Sequence, residues 1–259
     1  MNRILPLLLA PLLLTAACGT LDQNVPDPVR HAAVPPPPSN ASFVSGNNAL
    51  AEGRWDAAIA HYDKAIRANP RNIDAWRNRG IAHIEAQRFD LALIDFAEAI
   101  ELGADDANTY YNLGNVYISM AMWDSAIECL LHSLDKDRNQ PGTLNNLGNA
   151  YASAGRFAEA EAIFREFNAQ YPDRPEGHNN LGTLLEMQKR EAEAAASYQR
   201  ALDVDADNPD AHHNLGMLRV RQGRKAEGIG LLQRYLALCP ADSVDAKRIR
   251  GRISSLQSR

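Results

Sequence analysis

Three sets of residues in this chain have side chains that could do chemistry: cysteines at 18, 129 and 239, histidines at 178, 212 and 213, and a row of asparagines. Cys18 closes an apolar run, Ile4 to Leu14 followed by Thr15-Ala16-Ala17, of the kind that ends a secretory signal at small residues. Cys129 and Cys239 have no paired spacing, so neither a disulfide framework nor a zinc site is indicated. Both read as small buried hydrophobes. His178 and His212 lie thirty-four residues apart, and imidazoles so repeated could stack or share a metal. They stand, however, where Trp76, Tyr110 and Leu144 stand earlier in the chain, which reads as imidazoles packed at a seam and no metal site. No phosphate-cradling glycine loop, His-Glu-x-x-His zinc motif or nucleophile elbow occurs. The expectation is a non-enzyme with no catalytic residue and no cofactor.

The asparagines are different, because they recur. Asn78, Asn112, Asn146, Asn180 and Asn214 hold one place at thirty-four-residue intervals, accompanied by Tyr111, Asn115, Asn145, Asn149 and Asn179. A side-chain amide offers both donor and acceptor, which suits the backbone of an extended peptide better than any particular charge.

Positioning such a row requires a repeating frame, and the chain has one. Glycines at 46, 80, 114, 148, 182 and 216 share a single register, and so do Ala58, Ala92, Ala126, Ala160, Ala194 and Gly228. A period in this range marks a solenoid of stacked supersecondary units. Each unit holds two apolar patterns of helical spacing separated by a short turn, as in Tyr110, Leu113 and Tyr117 followed by Trp123 and Ala126. Glycine inside a helix costs about 1 kcal/mol against alanine, so six of them call for close packing. The expectation is that glycine on one helix and alanine on the other let the two backbones approach, with aromatic rings beside them. Pro141, Pro175 and Pro209 open units, Asn72, Asp106 and Asn208 sit where an N-cap is wanted, and Gly53, Gly155 and Gly223 break hairpin turns. Phe167 and Tyr235 intrude at a place that holds Ala65, Ala99, Ser133 and Ala201 elsewhere, which predicts an outward shift or a local gap between units four and five.

This skeleton resembles the tetratricopeptide repeat (TPR) family over Ser39 to Asp242. The resemblance implies an all-α solenoid, a right-handed superhelix of six helix-turn-helix units at 39–72, 73–106, 107–140, 141–174, 175–208 and 209–242. Residues 243–259 then form a capping helix, with Val244, Ile249, Ile253 and Leu256 on one stripe and Lys247, Arg248, Arg250 and Arg252 around it. A basic helix touching anionic lipid or cell-wall polymer is the alternative reading of that segment. The family's inner surface is lined by the first helix of each unit, so the resemblance places the asparagine row there, similar to the asparagine ladder of the O-linked N-acetylglucosamine transferase superhelix. The lysine and arginine set of the family's carboxylate clamp is missing from that face.

Ala16-Ala17-Cys18 resembles the lipobox of bacterial lipoproteins, with Thr15 where that pattern prefers leucine. Residues 1–17 are then a lipoprotein signal peptide, too short an apolar run to span a bilayer. Residues 18–38, with Pro35-Pro36-Pro37-Pro38, form an extended tether behind the lipidated cysteine. Gly19 in place of an aspartate implies the outer membrane, facing the periplasm. Of 259 residues, 45% are hydrophobic and 23% charged, and the formal net charge of -5 gives no reason to expect a nucleic-acid partner. The expected function is a lipid-anchored scaffold that holds a protein or extended peptide on its concave surface during cell-envelope or pilus assembly. Two alternatives stand beside it: a self-associating solenoid that forms homo-oligomers, and an accessory factor organising cell-wall hydrolases.

Overall fold

Each helix begins where the sequence supplies a reason. In the computed structural model, which describes residues 39–240 and 243–258, Pro141, Pro175 and Pro209 take first helical positions, where a missing N–H costs nothing. The side chains of Asn72, Asp106 and Asn208 accept from the backbone N–H groups of Ala75, Thr109 and Ala211 at 3.1, 3.1 and 2.9 Å. Each thereby satisfies one of the donors a helix start leaves unpaired.

The described residues form thirteen helices and no strand. They are α1 (Ser39–Ala51), α2 (Trp55–Ala68), α3 (Ile73–Glu85), α4 (Phe89–Glu101), α5 (Ala107–Ser119), α6 (Trp123–Lys136) and α7 (Pro141–Ser153). There follow α8 (Phe157–Gln170), α9 (Pro175–Met187), α10 (Glu191–Val204), α11 (Pro209–Arg221), α12 (Lys225–Leu238) and α13 (Val244–Gln257). Two compact units result, one ending at Arg138 and holding α1 to α6, the other starting at Asn139 and holding α7 to α13. Within the first, the hairpins α1/α2, α3/α4 and α5/α6 stack in order: α2 packs on α3, α4 on α5, and the first helices touch one another. The second unit repeats this with α7/α8, α9/α10 and α11/α12, and α13 packs on α12.

One turn design serves all six hairpins. In the second, the N–H of Arg88 donates to the carbonyl of His83 and that of Gln87 to Ile84, both at 2.8 Å. This pair of bonds is a Schellman closure, which needs a left-handed residue just past the helix. Gly53, Gly155 and Gly223 supply it with φ of 71°, 75° and 79°; Gln87, Ala121 and Lys189 adopt it without glycine's freedom, at 58°, 55° and 61°.

The mid-helix glycines do more than bring backbones together. The second helix lays a ring directly over them: a Cβ on Gly46 would stand 2.5 Å from the Tyr62 ring, and one on Gly148 would stand 2.5 Å from Phe164. Tyr62, Phe96, Phe164 and Tyr198 are fully buried in this way, with Leu130 and Leu232 in the same slot of the third and sixth hairpins. The rings lie over the glycines, not beside them, so the small residue makes room for a side chain. Phe167 is accommodated by the same means. It is buried, and a Cβ on Gly177 would overlap its ring, whereas Ala75, Thr109, Thr143 and Ala211 hold that place in other first helices. The gap is therefore built into α9.

On α13, Ala246, Ile249 and Ile253 are buried, the two isoleucines packing with Leu232. Val244 does not join them: it is 83% exposed. Ser243 caps the helix at the N–H of Ala246 (3.2 Å), making Val244 its first residue. At about 100° per residue, that puts Val244 half a circle from Ile253.

Candidate functional site

Three of the five recurring asparagines, Asn78, Asn180 and Asn214, clip neighbouring hairpins together. In the first unit, the Asn78 amide on α3 donates to Asn47 Oδ1 on α1 at 3.0 Å, and that oxygen also accepts from the Tyr62 hydroxyl at 2.8 Å. In the second unit, Asn180 on α9 donates to Asn145 on α7 at 2.5 Å, and Asn214 on α11 donates to Asn179 on α9 at 3.0 Å. Asn112 and Asn146 hold the same place on α5 and α7 and are half-buried, as are Tyr111 and Asn115; Asn149 is exposed. The acceptor in the first clip comes one helical turn later than in the others, because Phe43 occupies the earlier place. Cys18 and the whole segment 1–38 lie outside the described residues.

A clip spends one N–H and one carbonyl of a pair and leaves the rest of both amides available. On the second unit, the Asn145 and Asn179 amide nitrogens and the Asn180 oxygen thus remain along the first helices. Next to them is a cavity of about 260 Å³, with Asn149, Asn180, Ser153 and Thr183 around its wall and Phe164, Leu184 and Met187 as apolar surface. Met187 is 53% exposed. Thr183 is held by the Tyr198 hydroxyl at 3.2 Å, and that hydroxyl also reaches Glu186 at 3.3 Å. Burial, eased by the Thr183 bond, pushes the Tyr198 pKa up to about 12, so the hydroxyl stays a donor. Glu186 pairs with Arg221, so the charges flanking the cavity cancel. The site can take a neutral, partly apolar side chain and hydrogen-bond a backbone beside it.

The other candidates resolve simply. His212 is buried with Nε2 at 2.9 Å from the Ala206 carbonyl, so that nitrogen carries the proton. His213 meets Asn214 Oδ1 at 3.1 Å and the Tyr235 ring at 5.2 Å, and His178 is half-buried. Cys129 is buried and Cys239 partly so; neither forms a disulfide. Among the described residues, no group of three or more His, Cys, Asp or Glu side chains could hold a metal ion.

The sequence reading passed over one cluster. Arg79 on α3 grips Asp95 on α4 with two bonds, Nε to Oδ2 at 3.0 Å and Nη2 to Oδ1 at 2.6 Å, and sends Nη1 to Asp63 on α2 at 2.6 Å. Its guanidinium lies 4.7 Å from the Trp76 ring centroid, and His83 Nε2 is 3.8 Å from Asp95. The Asp95 side chain is only 2% exposed. Burial holds its carboxyl above the usual range, against the pull of the Arg79 bonds. The signal was present in the repeat itself: Arg79 stands where Leu113, Leu147, Leu181 and Leu215 stand, and Asp95 where His61, Cys129, Ile163, Ser197 and Leu231 stand. A leucine slot turns cationic in the one hairpin whose facing slot turns acidic.

Two-helix hairpins of constant length, each packed only on its neighbours within a unit, define a helical-repeat protein. Models of the tetratricopeptide repeat match residues 43–107, 145–206 and 105–167, and a TPR repeat model matches 190–223. The chain belongs to the tetratricopeptide repeat family. No curated protein matches it significantly. Among solved structures, it is similar to PilW, a widely conserved type IV pilus biogenesis factor, at TM-score 0.69 and 18% identity, covering 82% of this chain and 97% of that one. It is similar to PilF of Pseudomonas aeruginosa at TM-score 0.64 and 17% identity, covering 83% and 97%. YrrB, a TPR protein with an unusual peptide-binding site, matches at TM-score 0.59 and 21% identity over 66% and 89%. At these identities the likeness is one of fold.

Proposed function

We propose that this chain is a non-catalytic scaffold that holds an extended segment of a partner protein along the first helices of its hairpins. One observation carries the reading: the amide clips leave donors and an acceptor in a row beside a neutral, partly apolar cavity. That arrangement meets a peptide backbone with hydrogen bonds and one of its side chains with apolar surface. Each amide bond contributes about 0.5–1.5 kcal/mol net, so affinity comes from repetition. The peptide-binding site named for YrrB supports the reading by likeness of fold. We further propose that Cys18 carries lipid and that residues 18–38 tether the repeats to the cell envelope, in the outer membrane facing the periplasm. Pilus assembly is the process in view, supported by the fold shared with PilW and PilF. Among the described residues, no helix is long and apolar enough to cross a membrane.

The test places a photo-crosslinking residue at Asn149 or Met187, and at exposed Arg200 on α10 as control, in cells. One partner, recovered from the first two positions and absent from the third, is the expected result. Equal labelling at all three sinks the binding face. Separately, Cys18→Ser should move the protein from the membrane to the soluble fraction; a wild type already soluble removes the anchor.

A further inference from the structure

We propose that the outward face of α13 is a second contact surface, one that binds an anionic lipid bilayer. This goes beyond the scaffold reading and does not depend on lipid at Cys18. Lys247, Arg248, Arg250 and Arg252 are all exposed on this helix, opposed only by Asp245, which pairs with Arg248 at 3.0 Å. On the neighbouring elements, Asp210 acts on the Tyr235 hydroxyl together with Asp245. The whole chain carries a net charge of -5, so this helix is cationic against the trend of the molecule.

The apolar stripe of α13 is already used: Ile249 and Ile253 are packed with Leu232. The helix is therefore fixed in place and cannot roll its apolar side into a membrane, as a free amphipathic helix does. What it presents outward is a low surface. Gly251 would have nothing within 4 Å of a Cβ, and Ser254 and Ser255 are exposed. Val244, 83% exposed, stands at the start of that face instead of on the buried stripe. Cations around small residues on a rigid convex helix complement a flat sheet of negative charge. A polymer strand would be better served by a groove. Basic residues near an anionic membrane surface contribute about 1 kcal/mol each, which is about five-fold in binding per residue.

The experiment uses the full chain carrying Cys18→Ser, so that no acyl chain contributes, in co-sedimentation with vesicles. One set is phosphatidylglycerol with phosphatidylcholine in equal parts, the other phosphatidylcholine alone. The expected result is binding that depends on the anionic lipid and weakens as salt shortens the Debye length from about 10 Å at 0.1 M. Lys247→Gln, Arg250→Gln and Arg252→Gln together should weaken it roughly hundred-fold at unchanged melting temperature. Arg250→Lys with Arg252→Lys should retain it. Equal binding to both vesicle types overturns the proposal, as does binding that survives the triple change. Tighter retention on soluble heparin than on the vesicles would overturn the bilayer assignment in favour of a polyanion.

Discussion

Removing the Asp95 carboxylate should be among the costliest single changes in the first unit, and removing it together with Arg79 should not be. Asp95 and Arg79 side chains are 2% and 17% exposed, so solvent screens their pairing weakly. Breaking such a pair from one side costs about 3–5 kcal/mol, because it strands a buried charge. Asp95→Ala should fall at the lower end, since Arg79 keeps Asp63, whose side chain is 37% exposed. Arg79→Leu should fall at the upper end, leaving Asp95 buried beside His83 without its cation. The two changes also differ in pH dependence. In Arg79→Leu the Asp95 pKa rises further, so folding takes up a proton, and this variant regains stability as pH falls through that raised pKa toward the unfolded value. The double change Arg79→Leu with Asp95→Ile installs what the fourth hairpin already carries as Leu147 and Ile163. Replacing a buried pair by packed apolar groups is neutral or stabilising by about 1–4 kcal/mol, so the double variant should match or exceed the parent. Urea unfolding followed by circular dichroism, with amide exchange of α3 and α4 to localise the effect, measures all three. Single variants costing under about 1 kcal/mol, or a double variant as unstable as the two singles summed, would refute the reasoning.

Gln87→Gly, Ala121→Gly and Lys189→Gly should each stabilise by up to about 1 kcal/mol, since all three residues hold a left-handed turn at a steric cost glycine avoids; urea midpoints check this. In a Cys18→Ser background, Cys239 should react with a thiol reagent in the native protein and Cys129 should not, because burial lifts the Cys129 thiol to about 12. Fast modification of both would contradict the packing of α6. Gly177→Ala should destabilise the second unit by about 1–3 kcal/mol through overpacking on Phe167. In a Phe167→Ala background, itself about 3–5 kcal/mol less stable, Gly177→Ala should cost little further, and additive losses would show that the two residues do not share one space.

How legible each feature was in the sequence follows from how it repeats. The helices, their caps and their turns could be read because proline, asparagine, aspartate and glycine act locally, and six copies average out the noise of one. The asparagine row was equally visible, but its partners were not. Asn180 meets Asn145 and not Asn146 because of how α9 sits on α7, a tertiary fact with no local signature. Phe167 announced a disturbance, yet its resolution lay ten residues on, in Gly177, a residue with no oddity of its own until compared down the register. Arg79 and Asp95 went unread for the opposite reason. Each looks like an ordinary surface charge alone, and only the coincidence of an arginine in a slot of leucines with an acid in the facing slot reveals the pair. Val244 was misplaced because hydropathy alone put it on the stripe, although nine residues at about 100° each already set it half a circle from Ile253.

The departures from the repeat share a physical consequence. Hairpins of equal length and similar core present nearly interchangeable faces, which invites stacking in the wrong order as the chain collapses. Asp63 supplies the acid that Arg79 needs from the preceding hairpin. The same place elsewhere holds Ala97, Leu131, Arg165, Gln199 or Gln233. Placed behind any of those, the second hairpin would bury Arg79 with one carboxylate in place of two, and behind Arg165 it would meet a like charge. Phe167 acts by shape. Stacked on α3, α5, α7 or α11 it would strike Ala75, Thr109, Thr143 or Ala211 where Gly177 leaves room. One junction in each unit is thus marked, the first by charge and the second by volume. The asparagine clips, which recur across both units, hold correct neighbours together without telling one from another.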